Sequence, residues 1–228
     1  MDIEAALAAI NQNNPGITFV CSPNNPTGLV ESRSDVEQLV DAVAAVDGLL
    51  VIDEAYGEFS TWSAVDLLGE EVPAVVVKTY SKMWAMAGVR LGYLLGPTWL
   101  VERLHQVVLP YHLDSLKQAA GVAALDYVEV MNAQVETIKA ERSKVEAELG
   151  RIGCEVWPSG ANFILFRPTS RSGDPIGDEV WHQLIESSVL VRNTASWDRL
   201  AGCLRVTVGT PEENDRFLTA ISSILAGL

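Results

Sequence analysis

The stretch from residue 17 to residue 53 constrains the fold more than any other. It opens with the apolar run Ile17–Cys21, breaks at Ser22-Pro-Asn-Asn-Pro-Thr-Gly28 and closes with a second apolar run over residues 49–52. Between them Val36, Leu39, Val40 and Val43 recur at helical spacing, with Ser34 and Glu37 as a capping-box start and Gly48 as the stop. A strand, a crossover helix and a strand must pair in parallel and cross over right-handed. The two prolines and Gly28 keep the intervening loop out of both strand and helix, so its asparagines can be aimed at a target. Asp53, Glu54 and Tyr56 arrive at the carboxyl end of the second strand, beside that loop.

Val75, Val76 and Val77 read as a further buried strand, and the polar residues from Lys78 to Lys82 sit where it ends. Open α/β sheets bind ligands at that edge. There the chain offers Lys82, with Thr79 and Ser81 just upstream and Arg90 downstream. An arbitrary Ser-Lys pair after a strand is a surface lysine. The sharper reading is a Schiff-base lysine whose cofactor phosphate is held by Thr79, Ser81 and Arg90. Both readings stay open at this point. Residues 91–95 form one more apolar strand before Gly96-Pro97 breaks the chain.

The flanks complete the pattern. Residues 2–10 resemble the end of a helix closed by an Asn-rich turn. Residues 98–109 read as helix up to Pro110, and a longer helical stretch runs from about residue 114 to 149, with Val135, Ile138, Val145 and Leu149 as its buried stripe and Lys144 and Glu148 as an exposed pair. Beyond Gly150 and Gly153 the character changes: residues 155–157 and 162–167 read as paired antiparallel strands, and 168–175 as a polar linker. A helix over 176–188, a strand over 189–192, a loop, a strand over 204–208 and a helix over 211–226, started by Thr210, Pro211 and Glu213, follow. This divides the chain into an α/β domain over 1–128 and a smaller α+β domain over 129–228.

Sixteen Lys and Arg against thirty Asp and Glu leave a net charge of −14, which argues against non-specific binding to nucleic acid or an anionic membrane. Any anion site must therefore be local. Cys21, Cys154 and Cys203 are odd in number and far apart, which suits buried thiols in a reducing compartment. The acidic start and the lack of an uninterrupted apolar run of membrane length lead to a cytoplasmic reading. His105, His112 and His182 lack metal-ligand spacing, so no metal site is expected.

Pyridoxal phosphate asks for an amine, a carboxylate at its ring nitrogen, donors for its ring oxygen, and hydroxyls or cations for its phosphate. The loop Ser22-Pro-Asn-Asn-Pro-Thr-Gly28, then Ile52-Asp-Glu-Ala-Tyr56, then Thr79-Tyr-Ser-Lys82 with Ala87-Gly-Val-Arg90-Leu-Gly-Tyr93, resemble in order the signatures of the fold-type I aminotransferases. Leu109-Pro-Tyr-His-Leu113 and Leu204-Arg-Val-Thr-Val-Gly-Thr-Pro-Glu-Glu-Asn-Asp215 resemble its histidinol-phosphate aminotransferase branch. The resemblance implies part of a pyridoxal-phosphate transferase large domain, a mostly parallel sheet with helices, followed by a smaller α+β C-terminal domain. It implies that Lys82 takes the cofactor aldehyde and later moves a proton, that Asp53 pairs with the ring nitrogen, and that Asn25 and Tyr56 hold the ring oxygen. Thr79, Ser81 and Arg90 would hold the phosphate, Arg205 a substrate carboxylate, and Arg192 a substrate phosphate. The implied reaction moves an amino group between histidinol phosphate and 2-oxoglutarate, an amino donor and a 2-oxo acid, in a protein that is a homodimer when complete. Rival readings are an aromatic-amino-acid aminotransferase, a threonine-phosphate decarboxylase, or a non-catalytic fragment acting through protein association. Against the family pattern, the segment normally preceding the Pro-Asn-Asn-Pro loop is expected to be missing, and Trp84 stands where a smaller aromatic is usual.

Overall fold

The computed structural model describes residues 1–228. Its contacts form two units, one of Met1–Pro23 with Val30–Ala133 and one of Asn24–Leu29 with Gln134–Leu228.

The first unit begins with α1 (Ile3–Asn13), where the Asp2 side chain accepts the Ala5 N–H and Asn14 ends the helix in left-handed conformation. The helix expected over residues 2–10 is there, and its Asn-rich end is a left-handed cap. Strands β1 (Ile17–Cys21), β2 (Leu49–Asp53), β3 (Ala74–Thr79) and β4 (Gly92–Leu95) form one sheet in that order. The first three are parallel, and β4 runs antiparallel to β3. Helix α2 (Arg33–Ala45) makes the crossover from β1 to β2 and is capped by Ser32, whose hydroxyl accepts the Asp35 N–H. The expected Ser34–Glu37 box does not start it, because Ser34 already lies inside the first turn.

Alternation along the strands decides which side chains meet the helices. Leu50 and Ile52 of β2 and Ala74 and Val76 of β3 pack with Ile10 of α1 and Val36, Leu39 and Val43 of α2. Each large apolar side chain buried there stabilises the fold by about 1.5–3 kcal/mol. Asp53 and Thr79 have the opposite parity and so face the other side of the sheet. Helices α3 (Thr98–Val107) and α4 (Ser115–Ala124, capped by Asp114) follow, and the boundary between the units falls within α5 (Val128–Arg151).

In the second unit β5 (Glu155–Val156), β6 (Phe163–Arg167), β8 (Leu204–Thr207) and β7 (Arg192–Asn193) form an antiparallel sheet in that spatial order. The strand expected over 189–192 shortens to β7. Helix α6 (Gly177–Glu186) closes through Ser188 at φ 56° and a Val189 N–H to Leu184 carbonyl bond, which draws residues 188 and 189 into the turn. Ile164, Phe166, Leu204 and Val206 pack against Val145 and Leu149 of α5, Val180 and Leu184 of α6, and Phe217 and Ile221 of α7 (Pro211–Gly227). Phe166 meets Phe217 edge to face with centroids 5.8 Å apart. Thr210 and Glu213 form a complete capping box at the start of α7. Lys144 does not pair with Glu148: it reaches Asp215 at 2.7 Å, while Glu148 binds Arg151 at 2.8 Å. All three cysteines are free; Cys154 and Cys203 are buried, but Cys21 is only half-buried. Burial pushes the Cys154 thiol up to about 12. No helix is long and apolar enough to cross a membrane.

Candidate active site

The parallel register brings Cys21 beside Asp53 and Asp53 beside Val77, so the strand ends that carry polar residues lie next to one another. β3 continues through Thr79, which makes Lys78 a strand residue and not, as expected, the first residue of the loop. The loop then returns: Tyr80 N–H bonds to the Leu91 carbonyl at 3.0 Å, and Met86 N–H to the Tyr80 carbonyl at 3.1 Å. Within it Ser81 N–H donates to Thr79 Oγ1 at 3.0 Å, and that hydroxyl donates to the Leu91 carbonyl at 3.4 Å. Arg90 ends a short 3₁₀ turn at φ 57°, and its guanidinium donates to the Ala87 carbonyl at 3.1 Å. A non-glycine residue in that conformation costs roughly 1–2 kcal/mol, which the surrounding loop must offset.

Asp53 is exposed, and its Oδ1 accepts the Ala55 N–H at 2.9 Å. Lys82 is also exposed, with Nζ 5.2 Å from the centroid of the buried Tyr56 ring. Asp53, Thr79, Ser81, Lys82 and Arg90 line one cleft of about 420 Å³. The donor set fits an anionic aromatic aldehyde: an amine to condense with it, a carboxylate to keep a ring nitrogen protonated, and hydroxyls with a guanidinium for a phosphate. The cleft's size suits a small ligand.

Asn25, Arg192 and Arg205 belong to the second unit. The Asn25 loop is fixed there by Gly28, at φ 75°, where a Cβ would lie 2.4 Å from Ser159 Oγ; the Gly160 N–H bonds to the Gly28 carbonyl at 2.8 Å. Only glycine tolerates that combination of conformation and approach. Arg205 donates to the Asn25 amide oxygen and stacks over Phe163, 4.8 Å from its centroid. Arg192 is the register partner of Arg205 across β7 and β8. Cross-strand partners project to the same face, and like charges so placed are destabilising. An anion received between them would relieve that repulsion.

The sequence matches the family model for class I and II aminotransferases over residues 1–221. The chain belongs to the class I and II aminotransferase family. It is 44% identical over 228 residues to the histidinol-phosphate aminotransferase of Mycobacterium leprae, covering 99% of this chain and 57% of that protein. The corresponding Streptomyces avermitilis protein is 42% identical over 226 residues, covering 98% of this chain and 59% of that one. This chain therefore spans a little over half the length of these relatives. The fold is similar to that of a solved histidinol-phosphate aminotransferase from Sinorhizobium meliloti in complex with pyridoxal 5'-phosphate, at TM-score 0.85 and 22% identity, covering 99% of this chain and 61% of that one.

Sequence reasoning missed one feature of this aminotransferase-family chain. The Lys78 ammonium lies 2.8 Å from Glu54 Oε2 and 2.8 Å from Glu58 Oε1, with Lys78 and Glu54 both buried. Burial alone would lower the lysine pKa, but the hydrogen bonds and charges of Glu54 and Glu58 outweigh it and hold the group above its ordinary value. The available signal was parity: Lys78 follows Val76 by two and Glu54 follows Ile52 by two, so both share the buried face.

Proposed function

We propose that this chain is the lysine-bearing part of a pyridoxal-phosphate-dependent aminotransferase that moves an amino group between histidinol phosphate and 2-oxoglutarate. The observation that supports the reading is the single cleft lined by Lys82, Asp53, Thr79, Ser81 and Arg90, in a chain of the aminotransferase family. The cofactor, when bound, supplies an electron sink for negative charge at the substrate Cα.

The chain's own residues do the rest. The Lys82 amine would hold the cofactor through its aldehyde carbon and, once freed, would be the base that takes the proton from the Cα of the amino donor and, in the other half-reaction, the acid that delivers one to the Cα of the 2-oxo acid. Asp53 keeps the ring nitrogen protonated, Asn25 and Tyr56 hold the ring oxygen, and Thr79, Ser81 and Arg90 hold the phosphate. From the smaller domain, residues 129–228, come Arg205 for the carboxylate of the 2-oxo acid and its amino-acid partner, and Arg192 for the phosphate of histidinol phosphate. Histidinol phosphate has no carboxylate, so its anion needs a cation of its own. The names of the relatives from Mycobacterium leprae and Streptomyces avermitilis support that choice of substrate.

The test is chemical labelling. Chain incubated with pyridoxal phosphate and reduced with borohydride should carry the label on the peptide containing Lys82, and Lys82→Ala should lose both label and visible band while keeping its circular dichroism. A label on another lysine, or a wild-type band in Lys82→Ala, overturns the assignment. No label in either leaves association with a partner as the better account of the chain.

A further inference from the structure

The two faces of β2 and β3 carry different charges. On one face Asp53 and Thr79 line the cleft. On the other, Glu54 and Lys78 are buried, at 3% and 8% exposure, and bonded to each other. Glu58 joins them from the 3₁₀ turn Gly57–Phe59 that follows Tyr56. The group is tightly built. Glu54 Oε2 also accepts the Ser63 hydroxyl at 2.7 Å, and Oε1 the Ala64 N–H at 2.5 Å. A Cβ on Gly57 would lie 2.7 Å from Glu54 Oε2 and 3.1 Å from Lys78 Nζ, so the turn closes over the cluster only because residue 57 has no side chain.

Each charge therefore sits one or two positions from a residue assigned to the cofactor: Glu54 beside Asp53, Lys78 beside Thr79, Glu58 two past Tyr56. A buried ion pair is a poor source of net stability, because desolvation offsets most of its attraction. It is directional, however, and it adds side-chain ties where the backbone bonds run out: the last bond between the two strand ends is Glu54 N–H to the Val77 carbonyl at 2.9 Å, and the turn is tied to β2 by Gly57 N–H to the Glu54 carbonyl at 2.9 Å, whereas only Lys78 links Glu58 of that turn to β3.

We infer that Lys78 is a positioning residue: by holding Glu58 and Glu54 it fixes the turn after Tyr56 against the paired carboxyl ends of β2 and β3, at the spacing required by a ligand gripped at once by Asp53, Tyr56 and Thr79. This rests on the proposed cofactor. A ligand that spans several contacts gains from linkage only when their separation matches its length, so a shift in spacing weakens the whole ligand more than either half.

The experiment measures equilibrium binding of pyridoxal phosphate, pyridoxal and inorganic phosphate to the wild-type chain, to Glu58→Gln and to the double variant Glu54→Gln/Lys78→Met, with thermal melting of each. Glu58→Gln keeps the buried Lys78–Glu54 pair and so keeps the fold, and it carries the test if the double variant does not fold. We expect pyridoxal phosphate to bind about tenfold more weakly to the double variant and about threefold more weakly to Glu58→Gln, with pyridoxal and phosphate each changed by less than about twofold. Lys78→Arg, which keeps the charge and the reach, should recover part of the loss. Unchanged pyridoxal-phosphate affinity in the variants, or an equal loss for all three ligands, overturns the inference and leaves the cluster a structural one. A wild-type chain that binds no pyridoxal phosphate overturns the proposed function, and the inference with it; a binding wild type with indifferent variants overturns the inference alone.

Discussion

In the first unit a cation, Lys78, is buried between two carboxylates 2.8 Å away, whereas in the second Arg192 and Arg205 face each other across β7 and β8 and Arg192 is open to solvent. The cores differ in the same direction. Around its apolar core of Ile164, Phe166, Leu204, Phe217 and Ile221 the second unit buries only neutral polar residues, Thr194 and Asn214, while the first unit buries the charged Glu31, Glu54 and Lys78. A charge neutralised inside the fold serves geometry, whereas the two arginines of the second unit sit beside one another on the same face of the sheet.

The comparison breaks most easily at the apolar core. Phe166→Ala removes a fully buried ring packed on Phe217, and should lower unfolding stability by about 3–5 kcal/mol in urea titration. A loss below about 1 kcal/mol would show that this core is loosely packed. The next effect sharpens the role of the paired arginines. A charge-assisted hydrogen bond is worth about 1.5–3 kcal/mol, so Arg192→Ala in the active protein should weaken histidinol phosphate by roughly ten- to a hundredfold while leaving phenylalanine nearly unchanged. Equal losses for both substrates would make Arg192 structural, and an aromatic-amino-acid aminotransferase would become the better reading.

The smallest effect is graded. Lys78 is held above its ordinary pKa of 10.5, so its stabilisation is complete below that pH and is lost as pH rises through the folded value. One proton can remove at most about 1.4 kcal/mol per pH unit over that window. Tyr93, raised by burial and then by Glu58, contributes a loss of the same sign. Because Lys78 and Glu54 also act on Tyr93, the melting temperature of Tyr93→Phe minus that of Tyr93→Phe/Glu54→Gln/Lys78→Met, followed between pH 9 and 12, isolates the lysine. A difference that stays flat across that range would mean that Lys78 is not held as the geometry indicates.

Much of this architecture was legible because it rests on local periodicity. The parallel order of β1, β2 and β3 follows from a crossover helix and apolar runs that end in polar residues, and the capping box of α7 follows from Thr210 and Glu213. What escaped depends on distance in space. Ser32 and Ser34 are equally good caps on paper, and only the turn at which the helix starts chooses between them. Residues 189–191 have strand composition, yet the αL turn at Ser188 takes the first of them before the sheet can. Glu58 reaches Lys78 from a 3₁₀ turn, which has no periodicity to read. For the candidate site, residue type and order brought Asp53, Thr79, Ser81, Lys82 and Arg90 forward together. The grouping of Asn25 with Arg205 depends on a glycine lying against Ser159, which no local pattern reveals.

That last grouping has a consequence in time. Asn25 precedes Arg205 by 180 residues, and at synthesis rates of about 5–20 residues per second it leaves the ribosome roughly 9–36 s before its partner exists. The apolar strands on either side of its loop can pair well before then, since β1 and β2 both lie within the first 53 residues. The loop bearing Asn25 must therefore wait, tethered at both ends to folded chain, until the last strand, β8, is being made. A pause or premature stop after residue 95 and before residue 205 would yield a polypeptide that holds all four strands β1 to β4 and whose Asn25 has no Arg205 to bind.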